Sequence, residues 1–173
     1  IEHCASINET EQTASDYDVL DWTDREFTRI RNRMSKKKWS IERIYPLTSM
    51  QEGMLFHKME NDQSTSYVIQ NSFTVKSELD VNALKTSFEL LGEKHEVLHT
   101  NIIYQQINEP KQMILKGRPL EFHVTDLSKK KDGIDRYEEM KKNDIKRGFD
   151  LENDSLIRMS VVKIAENHYQ AYM

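Results

Sequence analysis

His95, Glu96 and His99 stand in the spacing H-E-x-x-H. On an α-helix, residues four apart share a face, so two imidazoles could hold a zinc ion while the glutamate activates water. The surrounding residues argue against that chemistry. The helical pattern is nearly spent by His95, and residues 100–107 are rich in β-branched types that favour a strand. Ile102 and Gln105 occupy the places where an extended zinc motif carries its glycine and third histidine. Glu109 and Glu121 are carboxylates with no helical motif around them. The plainer expectation is that Leu91, His95 and Leu98 continue a buried stripe with His99 at its end, and that the chain holds no metal.

Other reactive patterns are missing. The five glycines are scattered, and the sequence has no phosphate loop, nucleophile elbow or Cys-x-x-Cys pair. Glu138 and Glu139 fall on a charged helix and suit solvent. Cys4, the one cysteine, excludes an internal disulfide and reads as a surface thiol in a reducing cytoplasm. His123 and His168 lie on predicted strands and read as structural. The net charge of -4 and the short lysine clusters 36–38 and 129–131 give no footing for nucleic acid. No apolar run is long enough to span a membrane.

The elements that must position such residues follow from periodicity. Residues 1–40 are polar. Within them Thr23 and Glu26 predict a capped helix over 23–34, with a thin stripe of Phe27, Ile30 and Met34 that suits a linker helix docked on something larger. Residues 44–48 are extended because of Pro46. Ser49 and Glu52 predict a capping box for a helix over 50–59, with Met50 and Met54 as core fillers and Gly53 packed closely against a neighbour. Residues 67–75 alternate as a strand, and Asp80 caps a helix carrying Val81, Leu84, Phe88 and Leu91. A hairpin spans 100–116, a strand 120–125, a helix 134–146 ending at Gly148, and two strands 156–164 and 168–173. The fold class is α+β, a mixed sheet flanked by helices.

The run Tyr45-Pro46-Leu47-Thr48-Ser49-Met50-Gln51-Glu52-Gly53-Met54-Leu55-Phe56-His57 resembles the first motif of condensation domains in nonribosomal peptide synthetases. Its form is most similar to the subtype that follows an epimerisation domain. Lys94 to Thr100 resembles the second motif, Arg-His-Glu-x-Leu-Arg-Thr, with lysine and His99 in place of the two arginines. The resemblance continues through 148–151 and 156–158, the stretch that leads into the third motif. Thr13-Ala14-Ser15-Asp16-Tyr17 resembles an element found after epimerisation domains, with Ala14 for proline.

The resemblance implies a chloramphenicol acetyltransferase-like lobe at 41–173, preceded at 1–40 by the linker and tail of an epimerisation-like domain. It implies an acyltransferase that joins carrier-bound thioesters through a peptide bond. The substrates ride on phosphopantetheine of donor and acceptor carrier proteins, and the domain itself binds no cofactor. Adjacent synthetase domains and a carboxy-terminal lobe are the other implied partners. The catalytic histidine belongs to a third motif, His-His-x-x-x-Asp-Gly. Residues 169–173 resemble the strand just before it, so the chain alone is expected to be inactive. His99, Arg158 and Gln51 are the residues expected to support the site. Tyr45, Pro46, Ser49, Gly53, His57 and His95 are motif residues with structural roles. A non-catalytic docking lobe, an epimerisation domain and the zinc hydrolase are the alternatives.

Overall fold

The computed structural model describes residues 12–61 and 64–173, so Cys4 lies outside the described residues. The chain begins with a 3-10 turn, Ala14–Tyr17. Asp16 closes it, its carboxylate accepting from the Thr13 N–H at 2.7 Å and the Thr13 hydroxyl at 3.0 Å. Helix α1, Asp24–Lys36, starts where the capping box predicts. Its Glu26 carboxylate accepts from the Thr23 N–H at 2.7 Å, and the Glu26 N–H donates to the Thr23 hydroxyl at 3.3 Å. Phe27, Ile30 and Met34 are buried, and the helix docks through them as its stripe predicts.

They pack on an antiparallel sheet of order β1 (Ser40–Pro46), β4 (Lys111–Lys116), β3 (Thr100–Ile103). Ile41, Ile44, Ile103, Met113 and Leu115 form the sheet side of this core, and Ala14, Val19 and Trp22 extend the cover beyond the helix. Each of the larger aliphatic side chains buried here contributes about 1.5–3 kcal/mol. β3 and β4 form the predicted hairpin, with Asn101 opposite Met113, but β3 ends at Ile103.

A second sheet is mixed, of order β2 (Ser72–Val75), β7 (His168–Tyr172), β6 (Arg158–Ala165), β5 (Glu121–Asp126). β5 and β6 run parallel, so their connection must cross over, and helix α4, Gly133–Arg147, supplies it. Helix α3, Val81–Lys94, places Phe88 on Leu120, Met159, Val161 and Ala171. From α4, Tyr137 packs with Leu127, Val162 and Tyr172. Val161 and Val162 alternate, as do Ala171 and Tyr172, so α3 and α4 cover opposite faces. The α+β expectation holds, with the strands divided between two sheets.

Several local expectations are corrected. Helix α2, Ser49–Glu60, is capped by Thr48 with Gln51 in place of Ser49 with Glu52. The extended backbone forced by Pro46 continues through Thr48, so Ser49 is already helical. Met50 and Met54 are exposed, and Leu55 is the buried residue of α2. Gly53 meets nothing within 4 Å of where a Cβ would stand, so it has no close neighbour. The strand predicted over 67–75 is regular at Ser72–Val75 alone. Its ladder on β7 closes at the Asn71–Met173 pair, with N···O distances of 2.8 and 2.9 Å, and residues 67–70 lie outside it. The stripe predicted through Leu91, His95 and Leu98 stops because α3 ends at Lys94; Leu91 and His95 are exposed and Leu98 is half-buried.

Candidate active-site cleft

The second motif does not form a zinc helix. His95 is the C-cap of α3 with φ -123°, and Glu96–His99 is a separate 3-10 turn. The break removes the i,i+4 geometry that would place both imidazoles on one face. His95 is exposed, and Glu96 faces Arg43 at 3.7 Å. Among the described residues no group of three histidine, cysteine or carboxylate side chains is placed to hold a metal. The zinc-hydrolase alternative is overturned by this geometry.

His99 is half-buried. Its ring lies against Gly92 of α3, and its Nδ1 is buried with no hydrogen-bond partner among the described residues. Burial, and then the nearby Arg118 guanidinium, push its pKa below the ordinary value of 6.5. His99 is therefore neutral at neutral pH and cannot stand in for the arginine cation of the motif. Arg118 carries the charge in this place. It is 3% exposed, donates to the Leu98 carbonyl at 3.0 Å and to the Asp154 carbonyl, and burial pulls it down to about 10, still protonated at neutral pH. Nothing in a motif singled out Arg118; the Gly117-Arg118-Pro119 turn was its one signal.

The first motif is held at its start. The Gln51 side-chain carbonyl accepts from the Thr48 N–H at 2.8 Å. Its amide donates to Gln112 on β4 at 3.1 Å, and Gln112 donates to the Pro46 carbonyl at 3.0 Å. Gln51 thus locks α2 to the central strand of the first sheet. Tyr45 and Pro46 close β1, with Pro46 opposite Lys111, and the Tyr45 hydroxyl accepts from Arg43 at 3.1 Å. Ser49 is the first residue of α2. His57 is exposed, 3.7 Å from Glu60, with the Phe56 and Tyr67 rings each 5.9 Å away. It packs on a surface cluster and holds no core position.

Arg158, at the start of β6, is 3% exposed, and each of its three nitrogens donates a hydrogen bond. Its Nε donates to Asp144 Oδ1 at 2.5 Å, its Nη1 to the Gly148 carbonyl at 2.7 Å and its Nη2 to the Asp144 carbonyl at 2.7 Å. The Phe149 ring lies 4.1 Å from its guanidinium carbon. This is a buried ion pair that closes the C-terminus of α4, where exposed carbonyls favour a cation. Asp144 was missed because the helix around it is charged throughout and reads as solvated.

Gln51 and Arg158 line one cleft of about 530 Å³, bounded by α2, the segment 64–71, Phe149, and Met173 after β7. His99 and His95 lie instead on a second, larger hollow of about 1000 Å³ with Arg118. Val97 borders both. The three supporting residues are therefore brought to two sites on either side of the 3-10 turn.

The two-sheet α+β lobe has the chloramphenicol acetyltransferase-like fold of condensation domains. The chain belongs to the condensation-domain family, whose model matches residues 41–173. It is 38% identical over 131 residues to a plipastatin synthase of Bacillus subtilis (strain 168), covering 75% of this chain and 5% of that protein. It is 34% identical over 172 residues to bacitracin synthase 3 of Bacillus licheniformis, covering 98% of this chain and 3% of that protein. The chain spans a small fraction of the length of these relatives. The starter condensation domain of rhizomide synthetase RzmA shares the fold at TM-score 0.68 and 14% identity, over 76% of this chain and 33% of that one.

Proposed function

We propose that this chain is the amino-terminal lobe of a peptide-synthetase condensation domain, and that its 530 Å³ cleft is one wall of the reaction site. The observation that carries the reading is the convergence of the first-motif residue Gln51, Arg158 and the end of β7 on that cleft, within the 41–173 family match. The reaction is attack of an acceptor amine on a donor thioester, with a C–N bond formed, a C–S bond broken and the amine proton passed to the departing thiolate. It needs a polar group that orients or deprotonates the amine and donors for the tetrahedral oxyanion. Three of the five Arg158 N–H donors go to Asp144 and Gly148, which fixes its guanidinium at the cleft edge as a positioned cation and not as a base. In this reading the catalytic histidine belongs to a His-His-x-x-x-Asp-Gly stretch just after Met173, and residues 1–173 alone are expected to be inactive.

The partners in this reading are donor and acceptor carrier proteins bearing phosphopantetheine, neighbouring synthetase domains and a second lobe. The first-motif form and the 13–17 element support the subtype that accepts a D-configured donor, with residues 1–40 belonging to the linker. No helix among the described residues is long and apolar enough to cross a membrane, and a cytoplasmic synthetase is the setting proposed. A second reading, a non-catalytic docking lobe, draws on His99, which burial keeps neutral where the motif has a cation.

One experiment separates them. The coding sequence is read past Met173, and the full domain is assayed with carrier-bound thioesters. A His-His-x-x-x-Asp-Gly stretch within about ten residues of β7, with peptide formation lost when its second histidine becomes alanine, supports condensation. Absence of that histidine, or of peptide formation, leaves the docking lobe.

A further inference from the structure

One wall of the 530 Å³ cleft is irregular chain. Ser64, Tyr67, Val68 and Ile69 line it, yet residues 64–71 form neither helix nor strand. Such a segment is placed by ties from elsewhere. At its end, Asn71 pairs with Met173 through backbone N···O distances of 2.8 and 2.9 Å. One residue earlier, the Gln70 side chain reaches α4. Its Nε2 donates to Asp144 Oδ2 at 2.9 Å and to the Lys141 carbonyl at 3.1 Å.

Asp144 is shared. While Oδ2 takes Gln70, Oδ1 takes Arg158 at 2.5 Å, and the Asp144 side chain is 14% exposed. Arg158 and Phe149, which stack together, line the same cleft from the β6 side. A single carboxylate therefore joins the irregular wall at 64–71 to the β6 wall.

We propose that Asp144 and Gln70 are positioning residues that set the separation of these two cleft walls. The inference rests on reading the cleft as the condensation site. Neither side chain acts on the reacting atoms. Loss of the tie lets Tyr67 and Ile69 move over the cleft, which weakens substrate binding before it alters the chemical step.

Gln70→Ala tests the tie, because it removes one arm and leaves the Arg158–Asp144 pair that closes α4. Hydrogen exchange of the protein is followed in the 64–71 segment, where the Val68 and Asn71 amides donate to the Thr65 and Met173 carbonyls at 2.9 and 2.8 Å. Exchange there is expected to rise about tenfold while amides of β6 keep their rates. Gln70→Lys is expected to restore protection, since an ammonium donates to the same carboxylate. In the synthetase that carries this lobe, Gln70→Ala is expected to raise KM for a carrier-bound thioester substrate about fivefold with kcat changed less than about twofold. Unchanged exchange in Gln70→Ala, or exchange in Gln70→Lys as fast as in Gln70→Ala, overturns the proposal, as does a fall in kcat with KM intact. A wild-type synthetase that forms no peptide bond sinks the condensation reading instead, and the exchange rates still decide the tie.

Discussion

Arg33 on α1 donates to the carboxylate of Glu152, 119 residues away along the chain, at 2.6 Å. Glu152 is 1% exposed, and its other oxygen accepts the backbone N–H groups of Tyr104 and Gln105 at 2.9 and 2.7 Å. One buried carboxylate thus joins the amino-terminal helix, the loop after β3 and the turn before β6. The apolar cover from Ala14 to Met34 and this pair make residues 12–39 part of the same packed body as the first sheet.

Arg33→Ala should destabilise the protein by about 2 kcal/mol, because it leaves a buried carboxylate with backbone donors alone. In thermal unfolding that is a loss of about 4–8 °C for a chain of this size. An unchanged midpoint would mean that water replaces the guanidinium without cost.

Stability should depend on His99 between neutral and mildly acidic pH. Burial and Arg118 hold its folded pKa below 6.5. The unfolded chain therefore takes up a proton that the folded one resists, and the contribution present above pH 6.5 is lost as pH falls below it. Denaturant unfolding of wild type and His99→Gln from pH 7.5 to 5 checks this. The stability of wild type relative to the variant should fall toward low pH; a constant difference would contradict the buried neutral ring. All other histidines are common to both proteins.

Glu121 at the start of β5 should contribute to acid resistance. Arg147, donating to it at 2.5 and 3.0 Å, lowers its pKa from 4.5 to about 2, with a second contact from His123. Its contribution is complete above pH 4.5 and disappears as pH falls toward 2. Glu121→Gln should cost about 1 kcal/mol at pH 7, the scale of a solvent-screened pair. Wild type and variant should converge as pH approaches 2, measured by circular dichroism in urea.

Two helical glycines should respond oppositely to alanine. At Gly92 a Cβ would stand 2.9 Å from Leu120 and 3.0 Å from His99, so the gain of about 1 kcal/mol in helix propensity is outweighed by overpacking of about 1–3 kcal/mol. At Gly53 a Cβ meets nothing within 4 Å, so alanine should stabilise by about 0.5–1 kcal/mol. Unfolding midpoints that move in the same direction for both would show that α3 shifts to admit the methyl.

The capped helix at α1, the β3–β4 hairpin and the crossover helix α4 were legible because each rests on local rules: a capping pair, a run of β-branched residues, a glycine stop. The α2 methionines were misread for the same reason. Met50 and Met54 are apolar, but apolar type alone cannot say whether a neighbour exists to cover them: Met50 is 77% exposed, and Met54 lines the cleft and not the core. The strand at 67–75 was overextended because alternation marks a conformation while hydrogen bonds need a partner, and the β7 ladder closes at Asn71.

From the amino-acid order alone came the motifs, and with them the family, since a thirteen-residue run from Tyr45 to His57 is too specific to arise by spacing. What the tertiary structure decided is the electrical state of the polar residues. His99 is neutral because it is buried beside Arg118; Arg158 is occupied because Asp144 turns inward from a helix that looks solvated; Glu152 is paired because Arg33 reaches it across the chain. Charge, desolvation and hydrogen bonding act over a few ångströms in space, and those distances bring together residues that the sequence keeps far apart.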